Sequence, residues 1–114
     1  MKAIFLIASL ILIPSLALAG AGRSDYTDIS DSRLQIISGS MSRLYVYDVT
    51  MKDSECGIKT VPTLFFDDDI AIAKEIYSMI LMAKATGKEM EFIAGSCVSI
   101  GSDTYPSITS VYIK

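Results

Sequence analysis

The sequence predicts a small, mainly β domain with one helix, an α+β protein. Three observations lead there. The stretch from Asp67 to Lys88 carries helix signals at both ends and apolar residues spaced three or four apart between them. The segments on either side are short runs rich in Val, Ile, Thr, Tyr and Phe, separated by turns containing Gly, Ser and Asp. Their order along the chain is strand, strand, strand, helix, strand, strand.

Residues 1–19 read as a signal peptide rather than as part of the fold. Lys2 gives a positive start, Ile4 to Leu18 is almost unbroken apolar sequence, and Ala17-Leu18-Ala19 fits the small-x-small cleavage rule. Cleavage is expected after Ala19, with Ala21 as the alternative. The apolar run is short for a bilayer span, which takes about 20 residues. The expectation is therefore an exported protein, periplasmic or secreted, that is not membrane-embedded once the signal is removed.

Residues 20–32 are rich in Gly, Ser, Asp and Thr and predict a flexible lead-in that could add an edge strand. The single domain then spans 33–114. Arg33 to Ser38 is a first strand, and Gly39-Ser40 ends it. Arg43 to Thr50 alternates Leu44 and Val46 against Tyr45, Tyr47 and Val49, and the short spacing makes the two an antiparallel hairpin. Met51 to Lys59 is a polar loop. Thr60 to Phe66 is a third strand whose start Pro62 pushes to an edge or bulge.

The helix follows. Asp67, Asp68 and Asp69 suit its N-terminus, and Gly87 suits the left-handed turn that ends it. Ala73, Ile76, Tyr77, Ile80 and Ala83 share one face. Ile70, Ile72, Met79, Leu81 and Met82 are more apolar surface than one buried face needs. This makes Met79 and Met82 candidates for an oligomer interface. Glu89 to Ala94 alternates as a half-buried strand, Val98 to Ser107 reads as a turn-rich loop, and Ile108 to Ile113 is the last strand.

Three strands, a helix and two strands is the connectivity of the OB-fold, a five-stranded Greek-key barrel, with the helix closing its bottom. An open α+β sheet with the helix on one side fits the same string. In an exported domain of this size the lone pair Cys56 and Cys97 is most simply a disulfide. It closes a 42-residue loop, for which the chain-entropy estimate is about 4 kcal/mol.

The chain lacks histidine, which removes His-based triads, His general bases and His metal sites. No phosphate-binding glycine motif is present, and the Asp67–Asp69 run lacks the alternation of a calcium loop. Glu89 and Glu91 fall on one strand face and read as solvated rather than catalytic. No enzyme activity, metal or cofactor is expected. Without Lys2 the chain has nine basic and thirteen acidic residues, a net charge of −4. Its basic residues are dispersed, which argues against nucleic acid as a partner. Tyr105, before Pro106, is the candidate ligand-binding aromatic, offering a flat apolar face and a hydroxyl to a carbohydrate or a protein.

A resemblance adds to this reading. Cys56, Ala73-Lys74-Glu75-Ile76-Tyr77, Ala83-Lys84-Ala85-Thr86-Gly87-Lys88, Cys97 and Tyr105-Pro106-Ser107-Ile108-Thr109-Ser110-Val111-Tyr112-Ile113 together resemble a group of small uncharacterised exported proteins of Gram-negative bacteria. More distantly, that group is similar to the B subunits of subtilase-cytotoxin-like AB5 toxins. The resemblance covers about half the chain. It implies an OB barrel, a homopentameric ring with helices lining its centre, and sialoglycan binding, but matches no glycan-site residue one to one. The functional expectation is an exported, non-enzymatic binding module, glycan-binding and toxin B-subunit-like. The alternative is an envelope protein-binding inhibitor or structural accessory protein.

Overall fold

A computed structural model describes residues 20–67 and 69–114. The expected signal peptide, 1–19, and Asp68 lie outside the described residues. Among the described residues the protein is a six-stranded sheet with one helix, the mainly β, α+β class that the sequence predicts. The strands are β1 (Thr27–Asp28), β2 (Leu34–Ile37), β3 (Arg43–Val46), β4 (Thr63–Phe65), β5 (Glu89–Ile100) and β6 (Asp103–Ile113). The helix α1 (Ile70–Thr86) connects β4 to β5.

The order across the sheet is β1-β5-β6-β4-β3-β2. β2, β3 and β4 form an antiparallel meander, and β5 and β6 an antiparallel hairpin. The two units join through a parallel contact at Thr63 and Ser107. The sheet is open, with β1 and β2 at its edges, so its hydrogen bonding does not form the closed five-stranded barrel expected from the strand order. The edges are successive in the chain, and a local turn separates them. The Asp28 carboxylate accepts from the Ser30 N–H at 2.9 Å, and the Ser32 N–H donates to the Ile29 carbonyl at 3.0 Å.

The helix forms where its signals lie. Asp69 is the N-cap, its carboxylate accepting from the Ile72 N–H, and Gly87 closes the other end at φ 73°, donating to the Ala83 carbonyl. Ala73, Ile76, Ile80 and Ala83 face the sheet and are buried. They meet Leu44, Val46, Leu64, Met90, Phe92 and Ile108, which strand alternation places on the same side. Ile80 is fully buried, and truncating such a side chain to Ala costs about 2–5 kcal/mol.

Two expectations about the ends of the domain are corrected. Residues 20–32, expected as a flexible lead-in that could add an edge strand, are not flexible: Gly22 to Asp28 run along β5, and Thr27–Asp28 form the edge strand β1. The Ser24 N–H donates to the Phe92 carbonyl at 2.9 Å and the Ala94 N–H to the Gly22 carbonyl at 3.1 Å, while Ala21, Ser24 and Ile29 are buried. The stretch from Val98 to Ser107, expected as a long loop, is strand except for a tight turn at Gly101-Ser102. Gly101 supplies the positive φ of 64° that such a turn requires. Val98 pairs with Tyr105, Ser99 with Thr104 and Ile100 with Asp103.

Candidate functional site

On β3 the alternation that buries Leu44 and Val46 sends Arg43 and Tyr45 to the other face, with Tyr47 following just past the strand end. β2 pairs Gln35 with Tyr45, and the Tyr47 N–H donates to the Arg33 carbonyl at 3.0 Å, so Arg33 and Gln35 lie beside the tyrosines. β6 brings Tyr105 from the far end of the sequence. The Tyr45 and Tyr105 ring centres are 5.3 Å apart, and those of Tyr45 and Tyr47 are 6.0 Å apart.

Two guanidinium groups complete the face. Arg33 sits over the Tyr47 ring, 4.3 Å from its centre, a cation–π geometry. Arg43 donates through Nε to the Tyr45 hydroxyl at 2.9 Å and through Nη1 to the Met41 carbonyl at 2.6 Å. The Tyr47 hydroxyl donates to Gln35 Oε1 at 2.5 Å. Tyr45 is buried beneath its neighbours, Tyr47 and Tyr105 are half-buried, and Arg33 and Gln35 are exposed. Burial holds the Tyr105 phenol above its ordinary pKa, and the neighbouring Tyr45 and Asp103 add to the shift. The arrangement offers ring faces, hydroxyls, an amide and two cations to a bound molecule.

Of the residues singled out in the sequence, Tyr105 lies in this cluster, in a strand rather than a loop and packed at a 37° tilt against Tyr45 rather than free. The strongly exposed tyrosines are Tyr26 and Tyr112, at 41% and 52%. Arg33, Gln35, Arg43, Tyr45 and Tyr47 were not singled out as a cluster. The alternation of β3 combined with the hairpin register would have grouped them. Cys56 and Cys97 are bonded, with their Cα atoms 5.4 Å apart. Met82 is 47% exposed on the helix, and Met79 is half-buried against the core. These methionines are on the helix, apart from the tyrosine cluster.

The paired glutamates hold cations. Glu91 meets Arg23 at 2.7 Å, and Glu89 meets Lys114 at 3.5 Å. A separate small cleft of about 180 Å³ lies between the first half of α1 and strands β4 and β6, bordered by Leu64, Ile72, Ile76 and Ile108. Among the described residues no group of three potential ligands could hold a metal ion, and no helix is long and apolar enough to cross a membrane.

Comparison with protein families, curated proteins and solved structures gives no match, and nothing in it links the chain to toxin B subunits.

Proposed function

We propose that this is an exported, non-enzymatic binding module that holds a glycan, or another cell-envelope component, on the face formed by Tyr45, Tyr47 and Tyr105. The observation carrying this reading is the packing of Tyr105 on Tyr45 beside Tyr47, with Arg33 and Arg43 at its margins. Ring faces pack against the apolar face of a sugar, and the guanidinium and amide groups donate to its hydroxyls. OB-type barrels use their second and third strands as an oligosaccharide-binding face. The three-strand meander, intervening helix and final hairpin support an OB-like reading of the open sheet. A glycan array tests the function. The expected result is a carbohydrate signal that falls at least tenfold for Tyr105→Ala and Tyr47→Ala and is unchanged for Tyr112→Ala. No signal with folded protein overturns it in favour of the envelope inhibitor or accessory role. Export to the periplasm or beyond is part of the proposal, and a protein N-terminus at Gly20 in exported material is its check.

A second part concerns assembly. The buried helix face is flanked by exposed apolar residues on two sides, Ile70 and Leu81 on one and Ile72 and Met82 on the other. Two unlike patches suit a head-to-tail contact that closes a ring, the form the toxin resemblance implies. Light scattering after size exclusion should then give about five chain masses, lost in Met82→Glu. A single-chain mass across micromolar concentrations rejects it.

A further inference from the structure

We propose that the Cys56–Cys97 bridge is a redox-sensitive clamp that sets the position of Tyr105 on the candidate face. Its functional consequence rests on the binding reading above; the mechanical coupling does not.

β5 and β6 pair along their whole length, but their two halves are held differently. The half nearest the helix is flanked on both sides. β1 pairs with β5 at Glu89 and Met90, the chain around Gly22 and Ser24 continues along β5 as far as Ala94, and β4 meets β6 at Ser107. The ladder then becomes irregular, with register shifts between Ile93 and Ala94 and between Ala94 and Ser96. Such irregularities bend a strand. Beyond them, from Ser96 to Pro106, no named strand pairs with the hairpin among the described residues. A two-stranded ribbon alone is marginally stable in water, and this one carries Tyr105.

Besides the packing of the Tyr105 ring on Tyr45, the ties described here between the ribbon and the body come from residues 56–58. One is the covalent bridge to Cys97. The Gly57 N–H donates to Thr104 Oγ1 at 2.7 Å, and the Ile58 N–H donates to the Thr104 carbonyl at 2.9 Å. Cys97 pairs across the ladder with Pro106, so the ties act on Thr104 and on the partner of Pro106. They bracket Tyr105 from both sides. The bridge therefore fixes the ribbon at the point where the Tyr105 ring meets Tyr45.

Cys97 is half-buried and Cys56 is buried, so Cys97 is the sulfur open to attack. A dithiol thiolate attacks Cys97 Sγ, the S–S bond breaks, and Cys56 leaves as a thiolate that takes up a proton. The second thiol of the reductant then displaces Cys97. Two electrons pass to the protein, which gains two thiols, and the dithiol becomes a disulfide. Two hydrogen bonds from one short loop and the Tyr45–Tyr105 packing then remain, and without the covalent tie the ribbon shifts and the Tyr105–Tyr45 contact loosens. The face is thus complete in an oxidising compartment and loosened in a reducing one.

The test is NMR of ring-labelled tyrosine in the protein before and after treatment with dithiothreitol, with Tyr105→Phe and Tyr45→Phe assigning signals. Tyr77 reports the core, because its ring packs edge-on against Phe66 beside the helix. The expected result is that the Tyr105 and Tyr45 signals shift on reduction while Tyr77 stays. Cys97→Ser should reproduce the reduced spectrum. Unchanged Tyr105 and Tyr45 signals with free thiols present overturn the clamp. Should reduction also collapse the Tyr77 signal, the comparison is repeated in trimethylamine oxide, which favours the compact state; a chain still unfolded there overturns a switch between folded forms. The glycan array is read in parallel. A signal present when oxidised and lost when reduced supports the clamp's role in binding. No signal in either form rejects the binding reading, and the ring signals still decide the clamp.

Discussion

Lys84 donates from Nζ to the main-chain carbonyl of Ser32 at 2.7 Å. It makes a second bond to the carbonyl of Ser30 at 2.8 Å. Lys84, on the helix, reaches the turn that separates β1 from β2. The last turn of α1 is thereby fastened to the break between the two sheet edges.

Lys84→Met should therefore destabilise the protein although the substitution keeps the apolar stem. Hydrogen bonds to a charged group contribute about 1.5–3 kcal/mol when buried. These are partly exposed, so the expected loss is about 1–2 kcal/mol. Urea denaturation checks it, with Lys88→Met, exposed just past the helix, expected to stay within about 0.5 kcal/mol of the parent.

Two glycines separate backbone strain from steric exclusion. Gly87 has φ 73° and open space where a Cβ would stand, so Gly87→Val should cost about 1–2 kcal/mol through backbone conformation alone. Gly22 has φ 85°, and its Cβ would lie 2.3 Å from the Lys52 carbonyl oxygen. Gly22→Ala should cost more than Gly87→Val, about 3 kcal/mol or above. A Gly22→Ala midpoint no lower than that of Gly87→Val overturns the steric cost, and one equal to the parent's shows that docking of the Gly22 segment adds nothing to stability.

The raised Tyr105 pKa sets a pH dependence. Its ordinary value is 10.0, and burial is the first cause of the increase. Above pH 10 the unfolded chain gives up this proton while the folded chain keeps it. The folded state then binds more protons, so stability falls as pH rises through the folded value. The contribution is fully present below pH 10. In a tyrosinate absorbance titration of folded protein, Tyr105→Phe should remove the phenol that ionises at higher pH, and it should lessen the alkaline fall in stability.

Single-stranded DNA should not bind at physiological salt. Arg33 and Arg43 are the cations on the tyrosine face, and Arg43 already serves Tyr45 and Met41. Nucleic acid binding needs a basic track along the backbone. A fluorescence-polarisation titration giving a salt-sensitive micromolar affinity refutes this and reassigns the tyrosines to base stacking.

What could be read from sequence followed the range of the interactions. Asp69 and Gly87 act within one turn of the helix, so its ends were legible. Ile76 and Ile80 recur at the helical period, so its buried face was too. Val98 to Ser107 reads as a loop because its Gly101-Ser102-Asp103 and Tyr105-Pro106 are turn-type residues, while the strand pairing that orders it runs between β5 and β6 across the Gly101-Ser102 turn. Ala21, Ser24 and Ile29 became core residues through contacts with distant partners. Tyr105 meets Tyr45 across sixty residues of chain, and no local period announces such a meeting.

The parallel contact between Thr63 and Ser107 has a kinetic consequence. The meander β2-β3-β4 and the hairpin β5-β6 are each built from neighbouring sequence, so each closes over a shorter loop than their union does, the longest being residues 47–62 between β3 and β4. Their union must bring together chain segments 44 residues apart, and that loop-closure entropy comes before the reward of a shared core. Docking of the two units is thus the expected slow step of folding. In native-state hydrogen exchange they should appear as two cooperative blocks, the main-chain amides of Arg43–Val46 opening together and those of Met90–Ile93 opening as a separate set.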